Sequence, residues 1–246
     1  MIDTHAHLDA LDDPAAAVTC ARDAGVTRIV TVGTDPVSWA KSLPLAEEHD
    51  GVYLAAGVHP HEAASEVDFR ELERLLDHPK VVAVGEIGLD YYRDYAPHDA
   101  QTKRFIYQLG LAKKAALPVV IHNRAADEDT VSILQQWFDG TVVLHCFSSP
   151  ALLDAALEHG WYVSFAGNVT YKNAEDLRTA ARAVPAERIL AETDCPYLAP
   201  QPVRGKTNEP AYVLHTVTAL AEARGESPDE LGAQIDENAS AAFGLP

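Results

Sequence analysis

The amino-acid sequence predicts an α/β chain folded as a single (β/α)8 TIM barrel over residues 1–246, with a C-terminal helix capping it. Three observations carry this expectation. Eight short apolar, β-branched runs alternate with longer stretches of helical period. The runs are apolar at nearly every position, as parallel strands covered by outer helices should be. Eight such units fit into 246 residues, a length at which barrels close as one domain. A doubly wound open sheet is the competing arrangement. It is disfavoured because no Gly-rich phosphate fingerprint follows the first run.

In order, the first strand is expected at 1–5 (MIDTH). The stretch "DDPAAAVTCARDAG" then reads as a helix with acids and Pro at its start and Gly at its stop. Strands are expected at 28–33 (RIVTVG), 52–57 (VYLAAG) and 81–86 (VVAVGE). Residues 97–116 carry apolar positions at helical intervals and basic residues near the end, as a helix should. Further strands are expected at 118–122 (PVVIH), 142–146 (VVLHC), 161–165 (WYVSF) and 188–193 (RILAET). Residues 209–224 read as the helix after strand eight and 227–243 as the terminal helix. Between them and strand eight lies "APQPVRGKTNEP" (199–210), the longest irregular stretch, where a barrel places an active-site loop.

The composition excludes several functional classes. No run of about 18 uncharged apolar residues exists, so no membrane span is expected. The opening "MIDTHAHLDALDDP" has neither a basic region nor an apolar run, so a cytoplasmic location is expected. No long exposed apolar stripe calls for a protein partner, and the expectation is a monomer. Three cysteines, Cys20, Cys146 and Cys195, make no disulfide framework and no Cys-x-x-Cys site. A net charge of −18 argues against non-specific adhesion to nucleic acid. It leaves room for a polyanionic substrate held by bound metal ions.

Barrels place their chemistry at the C-terminal ends of the strands. Strand one ends in His5 and His7, strand three runs into His59 and His61, and strand four ends in Glu86. Strands five and six end in His122 and His145, and strand eight in Glu192 and Asp194. Residues two apart share a strand face, so each pair is expected to project together into one mouth. Any single histidine here is more simply a hydrogen-bonded rim residue. Histidines and buried carboxylates gathered at one end are another matter, because a metal ion satisfies both at once. Two ions use the set best. The first takes His5, His7, Glu86 and Asp194, the second takes Glu86, His122 and His145, and Glu86 bridges. Zn, Mg, Mn, Fe, Co and Ni are all compatible with these donors. His59 and Glu192 are expected to hold a third ion or to hydrogen-bond the other ligands.

The motifs "IDTHAHLD", "GVHPHEA", "GEIGLDYYR", "IHNRAADEDT", "HCFSS", "GNVTYKNAEDLR" and "ETDCPYLAPQPVRGKTNEP" occur in this order over nearly the whole chain. In this the chain resembles the TatD family of metal-dependent deoxyribonucleases, within the amidohydrolase-like barrels. The resemblance implies two or three divalent ions, with His5, His7, Glu86, His122, His145 and Asp194 at the ligand positions. It further implies a 3′→5′ exonuclease acting on single-stranded DNA, with RNA as a second substrate, and by analogy a role in DNA repair or DNA degradation. Three positions depart from the family pattern: Ser149 for Gly in "HCFSS", Thr207 for a basic residue in "RGKTNEP", and Ala166 for Ser in "AGN". None is a proposed ligand, and Thr207 removes one phosphate contact.

The expected mechanism is attack on phosphorus by a hydroxide activated between two ions. Asp194 would orient the water and accept its proton, and His59 would assist the leaving oxygen. Arg204, Arg124 and Lys172, with Lys206 beside them, are expected to position phosphate. Tyr91, Tyr92 and Phe147 are expected to stack on bases or to pack at the rim and core. The alternative is an ester or amide hydrolase on the same scaffold, such as an aminoacyl-tRNA deacylase. A lysine at the end of strand four would favour small-molecule substrates, but Glu86 stands there, and the "RGK" loop favours phosphate. A non-catalytic metal-binding protein is the third reading, and an open mouth argues against it.

Overall fold

In the computed structural model, which describes residues 1–93 and 95–246, all eight apolar runs form strands. They are β1 (Ile2–Ala6), β2 (Arg28–Gly33), β3 (Val52–Ala56), β4 (Val81–Asp90), β5 (Val119–Arg124), β6 (Val142–Leu144), β7 (Tyr162–Phe165) and β8 (Ile189–Ala191). Each pairs in parallel with the next in sequence. The ring closes just past the end of β8. There the Asp194 N–H donates to the His5 carbonyl at 2.9 Å and the His7 N–H donates to the Cys195 carbonyl at 2.8 Å. The result is the expected TIM barrel.

Every residue of β1, β4, β6, β7 and β8 is buried, which is why these segments read as unbroken apolar runs. Polar side chains inside must then find partners in the barrel. Thr4 Oγ1 lies 3.1 Å from Ser164 Oγ and donates to the Ala191 carbonyl at 3.1 Å. Asp3 accepts from the Thr193 N–H at 2.9 Å, the Thr193 hydroxyl at 2.5 Å and the His5 N–H at 3.3 Å. It therefore supports the closure of β1 on the β8 end.

The outer layer comprises α1 (Pro14–Asp23), α2 (Pro36–Glu48), α3 (Phe69–Leu76), α4 (His98–Ala115), α5 (Asp127–Trp137), α6 (Leu153–His159), α7 (Glu175–Ala183), α8 (Val213–Arg224) and α9 (Pro228–Phe243). The Asp-Pro starts work as expected: the Asp13 carboxylate accepts from the Ala16 N–H at 2.9 Å ahead of α1. At α2, Asp35 accepts from the Val37 and Ser38 N–H groups while Ser38 Oγ accepts from the Asp35 N–H. Caps of this kind are worth about 1 kcal/mol each. Among the described residues no helix is long and apolar enough to cross a membrane.

Several bounds differ from the sequence reading: β6 ends at Leu144 and β8 at Ala191, so His145, Glu192 and Asp194 lie just past their strands, and β5 runs on to Arg124. β4 runs on past Glu86 to Asp90, because its pairing with β5 continues to Asp90 opposite Arg124. α8 starts at Val213, since Pro210–Tyr212 forms a separate 3-10 turn. The terminal helix α9 packs on β8, β1 and the strand starts. Asp236 lies 3.0 Å from the Met1 amine and 3.2 Å from the Arg28 guanidinium, and Asn238 donates to the Ala186 and Ile189 carbonyls. That is the end of the barrel opposite the histidines.

Candidate metal centre

His5 lies on β1, whose residues are all buried, and His7 follows the strand, so both imidazoles turn into the mouth with their Nε2 atoms 3.3 Å apart. Glu86 projects from β4 between two groups of histidines. One carboxylate oxygen, Oε2, is 3.5 Å from His5 Nε2 and 3.9 Å from His7 Nε2. The other, Oε1, is 2.5 Å from His122 Nδ1, 2.8 Å from His145 Nε2 and 3.5 Å from His59 Nε2. Asp194 Oδ1 joins the first group, 3.4 Å from His7 Nε2 and 3.8 Å from His5 Nε2. All six expected ligands are thus brought together, with Glu86 in the middle.

The outer residues separate by role. Glu192 Oε1 is 2.9 Å from His145 Nδ1 and accepts from the Cys146 N–H at 2.8 Å, so it aims the His145 ring. His59 Nδ1 accepts from the His61 N–H at 3.1 Å, leaving Nε2 directed at Glu86. Glu192 and Asp194 reach different histidines because strand alternation stops between them: Asp194 has φ +55, in the left-handed region. Cys146, after His145, has φ +44. Such backbone strain outside glycine tends to gather at functional sites.

The electrostatics of the cluster are those of a cation site without a lysine or arginine. Among the described residues, Glu86 has ion-pair partners only in histidines. Burial pushes its carboxyl up, but His145, His59 and His122 together hold it well below the usual range. Burial pushes His145 down, but Glu86 and Glu192 hold it well above the usual imidazole value. His5 is lowered, by burial first and by His145 second. Within the cluster, two buried polar atoms, His5 Nδ1 and Glu192 Oε2, have no hydrogen-bond partner among the described residues. Converging donors occur in the groups His5–His7–Glu86, His59–Glu86–His122 and His5–His145–Glu192. Imidazole with carboxylate is a donor set for divalent ions, so the residues fit a metal.

Protons and metal ions must compete for these imidazoles. His122 and His145 are both raised despite their burial, chiefly by Glu86, so they carry protons over a wider range than free histidine. Metal affinity is therefore expected to fall as pH falls from about 8 to about 5.5. Calorimetric titration with Mn²⁺ across that range checks it, and a pH-independent affinity would count against imidazole ligation.

Around the mouth, the Arg124 guanidinium lies 4.1 Å from the Tyr92 ring centre and that of Arg204 4.1 Å from the Tyr171 ring centre. Lys172 is exposed on the turn after Thr170, beside a cleft of about 540 Å³ lined by Thr170, Tyr171, Gln201 and His215. Tyr92, Tyr95 and Tyr197 are exposed. Tyr95 stands edge-on to His61 and Tyr197 edge-on to His7. Of the three aromatics expected to stack on bases or to pack at the rim and core, Phe147 is a core residue packed on Phe165, and Tyr91 stacks on His98. Only Tyr92 is exposed, with the Arg124 guanidinium over its ring.

Sequence reasoning missed two residues. Asp90 is fully buried and touches both His61 and His122. Its signal was its parity with Glu86, four residues earlier on the same strand. Asn208 is also fully buried, and its amide donates to the Thr193 carbonyl at 2.8 Å and the Tyr197 carbonyl at 2.5 Å, pinning the loop that carries Arg204. Nothing in its spacing distinguishes it.

Comparisons with known proteins agree with this geometry. A family model described as "TatD related DNase" matches residues 2–244. The chain is 40% identical over 251 residues to the "uncharacterized metal-dependent hydrolase YabD" of Bacillus subtilis, covering 99% of this chain and 98% of that protein. It is 38% identical over 236 residues to the "3′-5′ ssDNA/RNA exonuclease TatD" of Erwinia amylovora, covering 92% and 91% of the two chains. Among solved structures it matches the TatD homologue YJJV of Escherichia coli with a TM-score of 0.93 and 31% identity, over 100% of this chain and 98% of that one.

Proposed function

The chain belongs to the TatD related DNase family of metal-dependent hydrolases, and from that premise we propose that it removes nucleotides from the 3′ end of single-stranded DNA, with RNA as a second substrate. The observation that carries this reading is Glu86, whose two oxygens face two separate histidine groups and so could bridge two divalent ions. His5, His7, Glu86 and Asp194 would hold one, and Glu86, His122 and His145 the other. When bound, such ions supply an acidified water and positive charge for the phosphate as it gains charge in the transition state.

The chain's own residues supply the rest. Asp194 sits at the edge of the His5–His7 group, 13% exposed, and can accept the proton of an attacking water. Burial raises its carboxyl, but the hydrogen bond from His7 together with the charges of His145, His7 and His5 outweighs this and keeps it ionised. Burial holds His59 down to about 4. It is therefore neutral, and with Nδ1 occupied as an acceptor it carries its proton on Nε2. In that state it donates a hydrogen bond to a phosphate or leaving oxygen without adding a full charge. Arg204 and Arg124 are each held on a tyrosine face, and among the described residues their guanidinium edges have no hydrogen-bond partner, which suits them to phosphate.

The test is cleavage of end-labelled single-stranded DNA and RNA by metal-loaded protein, with esters and amides in parallel. The expected product is a ladder shortening from the 3′ end, lost on chelation and in His122→Ala. Ester or amide cleavage without phosphodiester cleavage would replace this reading with that of a small-molecule or aminoacyl-ester hydrolase. Arg204→Ala is expected to raise KM for an oligonucleotide roughly tenfold, the value of one charge-assisted phosphate contact, with a smaller change in kcat. Steady-state kinetics check this, and an unchanged KM would remove Arg204 from the substrate contacts.

A further inference from the structure

The final residue of β4 is a carboxylate that the mechanism above does not use. Asp90 is fully buried, and among the described residues its only ion-pair partners are two histidines. Its two oxygens do different things. Oδ1 accepts from the backbone N–H groups of Tyr92 at 3.0 Å and Arg93 at 2.9 Å. Oδ2 lies 2.8 Å from His61 Nε2 and 3.2 Å from His122 Nε2. The Asp90 backbone is itself clamped by Gln101, whose side chain accepts from the Asp90 N–H at 2.9 Å and donates to its carbonyl at 3.1 Å.

We propose that Asp90 is a positioning residue that sets the tautomer of His122, directing the lone pair of Nδ1 towards the metal centre. The inference rests on the two-ion reading of that centre. An ionised carboxylate only accepts hydrogen bonds, so a ring nitrogen facing Oδ2 must carry a proton. Nδ1 also faces a carboxylate, that of Glu86, and an ion bound beside Glu86 would take the Nδ1 lone pair; the one proton of neutral His122 would then sit on Nε2, where Asp90 accepts it. Nδ1 is the atom 2.5 Å from Glu86 Oε1, inside the cluster. At His145 the assignment is reversed: Glu192 faces Nδ1, and Nε2 faces Glu86 at 2.8 Å. Two carboxylates on β4 and at the end of β8 thus face opposite ring nitrogens, so that both rings would present a lone pair to an ion bound beside Glu86. A carboxylate orienting a ligating histidine is a general device for fixing its tautomer and basicity.

The backbone contacts make a sharp test possible. In Asp90→Asn the side-chain oxygen stays where two N–H donors require an acceptor. The amide nitrogen then faces His61 and His122 and donates. His122 Nε2 must accept, its proton moves to Nδ1, and the lone pair towards the centre is lost. The substitution is nearly isosteric, so a role confined to holding the Tyr92–Arg93 turn would survive it.

The experiment compares the wild type, Asp90→Asn and His61→Ala. Calorimetry with Mn²⁺ on the metal-free proteins counts the ions, and ¹H–¹⁵N correlation of the imidazoles in the Zn²⁺-loaded proteins assigns which ring nitrogen keeps its proton. In the wild type, the His122 proton is expected on Nε2. In Asp90→Asn it is expected on Nδ1, with one of the two ions weakened about 10- to 100-fold and the other retained. His61→Ala should keep both ions. A wild-type His122 with its proton on Nδ1 overturns the proposal, and this measurement needs no variant to fold. Unchanged binding of both ions in Asp90→Asn overturns it as well. A wild type that binds a single ion instead overturns the two-ion reading, and the tautomer measurement still decides the role of Asp90.

Discussion

Phosphodiester hydrolysis is expected to fall at least about a thousandfold in Glu86→Gln, which is roughly the effect of breaking a buried ion pair of about 4 kcal/mol. Glutamine fills the same volume but keeps only one oxygen. Whichever way it turns, its amide N–H₂ faces either the His5–His7 group or the His122–His145 group. An amide nitrogen carries no usable lone pair for a metal, so one group loses the ligand that joins it to the other. The charge is lost on both sides as well. In the metal-free protein, burial lowers His145 and the Glu86 carboxylate is the first of the opposing influences that hold it high. The Gln variant should therefore show a His145 titration moved downwards, independent of activity. Single-turnover cleavage of a labelled oligonucleotide and metal analysis of the purified variant check the rest. A variant within about tenfold of wild-type activity would show that Glu86 is not the joining ligand.

The six clustered residues were legible in the sequence for a physical reason. Strands buried on both faces must be apolar along their length, so a histidine or carboxylate at such a run's end stands out, and parallel strands in a barrel share one end. What lay beyond local pattern was less legible. Ending β4 at Glu86 hid Asp90, because the strand's continuation depends on pairing with β5, which is distant in sequence. Alternation treated Glu192 and Asp194 as a pair, but the left-handed backbone at Asp194 sends them to different histidines. For Phe147 the sequence left base stacking and core packing both open, and the ring packs into the core against Phe165. The docking of α9 at the strand starts depends on Met1, Arg28 and Asp236, whose proximity no helical period reveals.

The same dependence of the site on the β4–β5 seam leads to a second large effect, at a residue with no side chain. Gly88 lies between Glu86 and Asp90 and pairs with His122. Its φ is +140°, and a Cβ built there would sit 2.1 Å from the His122 carbonyl oxygen and 3.1 Å from its carbon. Two costs therefore add in Gly88→Ala. A backbone conformation that side chains rarely adopt costs about 1–3 kcal/mol. The clash is with backbone, which cannot rotate away as a side-chain tip could. The expected loss is roughly 3 kcal/mol or more, a large share of the 5–15 kcal/mol that holds a typical domain together. Gly110 is the natural control: it lies within α4 and a Cβ there meets nothing within 4 Å. Gly110→Ala should gain up to about 1 kcal/mol from helix propensity alone. Denaturant midpoints of the two variants test the difference. A Gly88→Ala protein as stable as the wild type would mean that β4 and β5 can separate at this pair, and with them Glu86, Asp90 and His122. In that case the variant should lose metal affinity while keeping its fold, because relief of the clash must move the His122 backbone that the centre depends on.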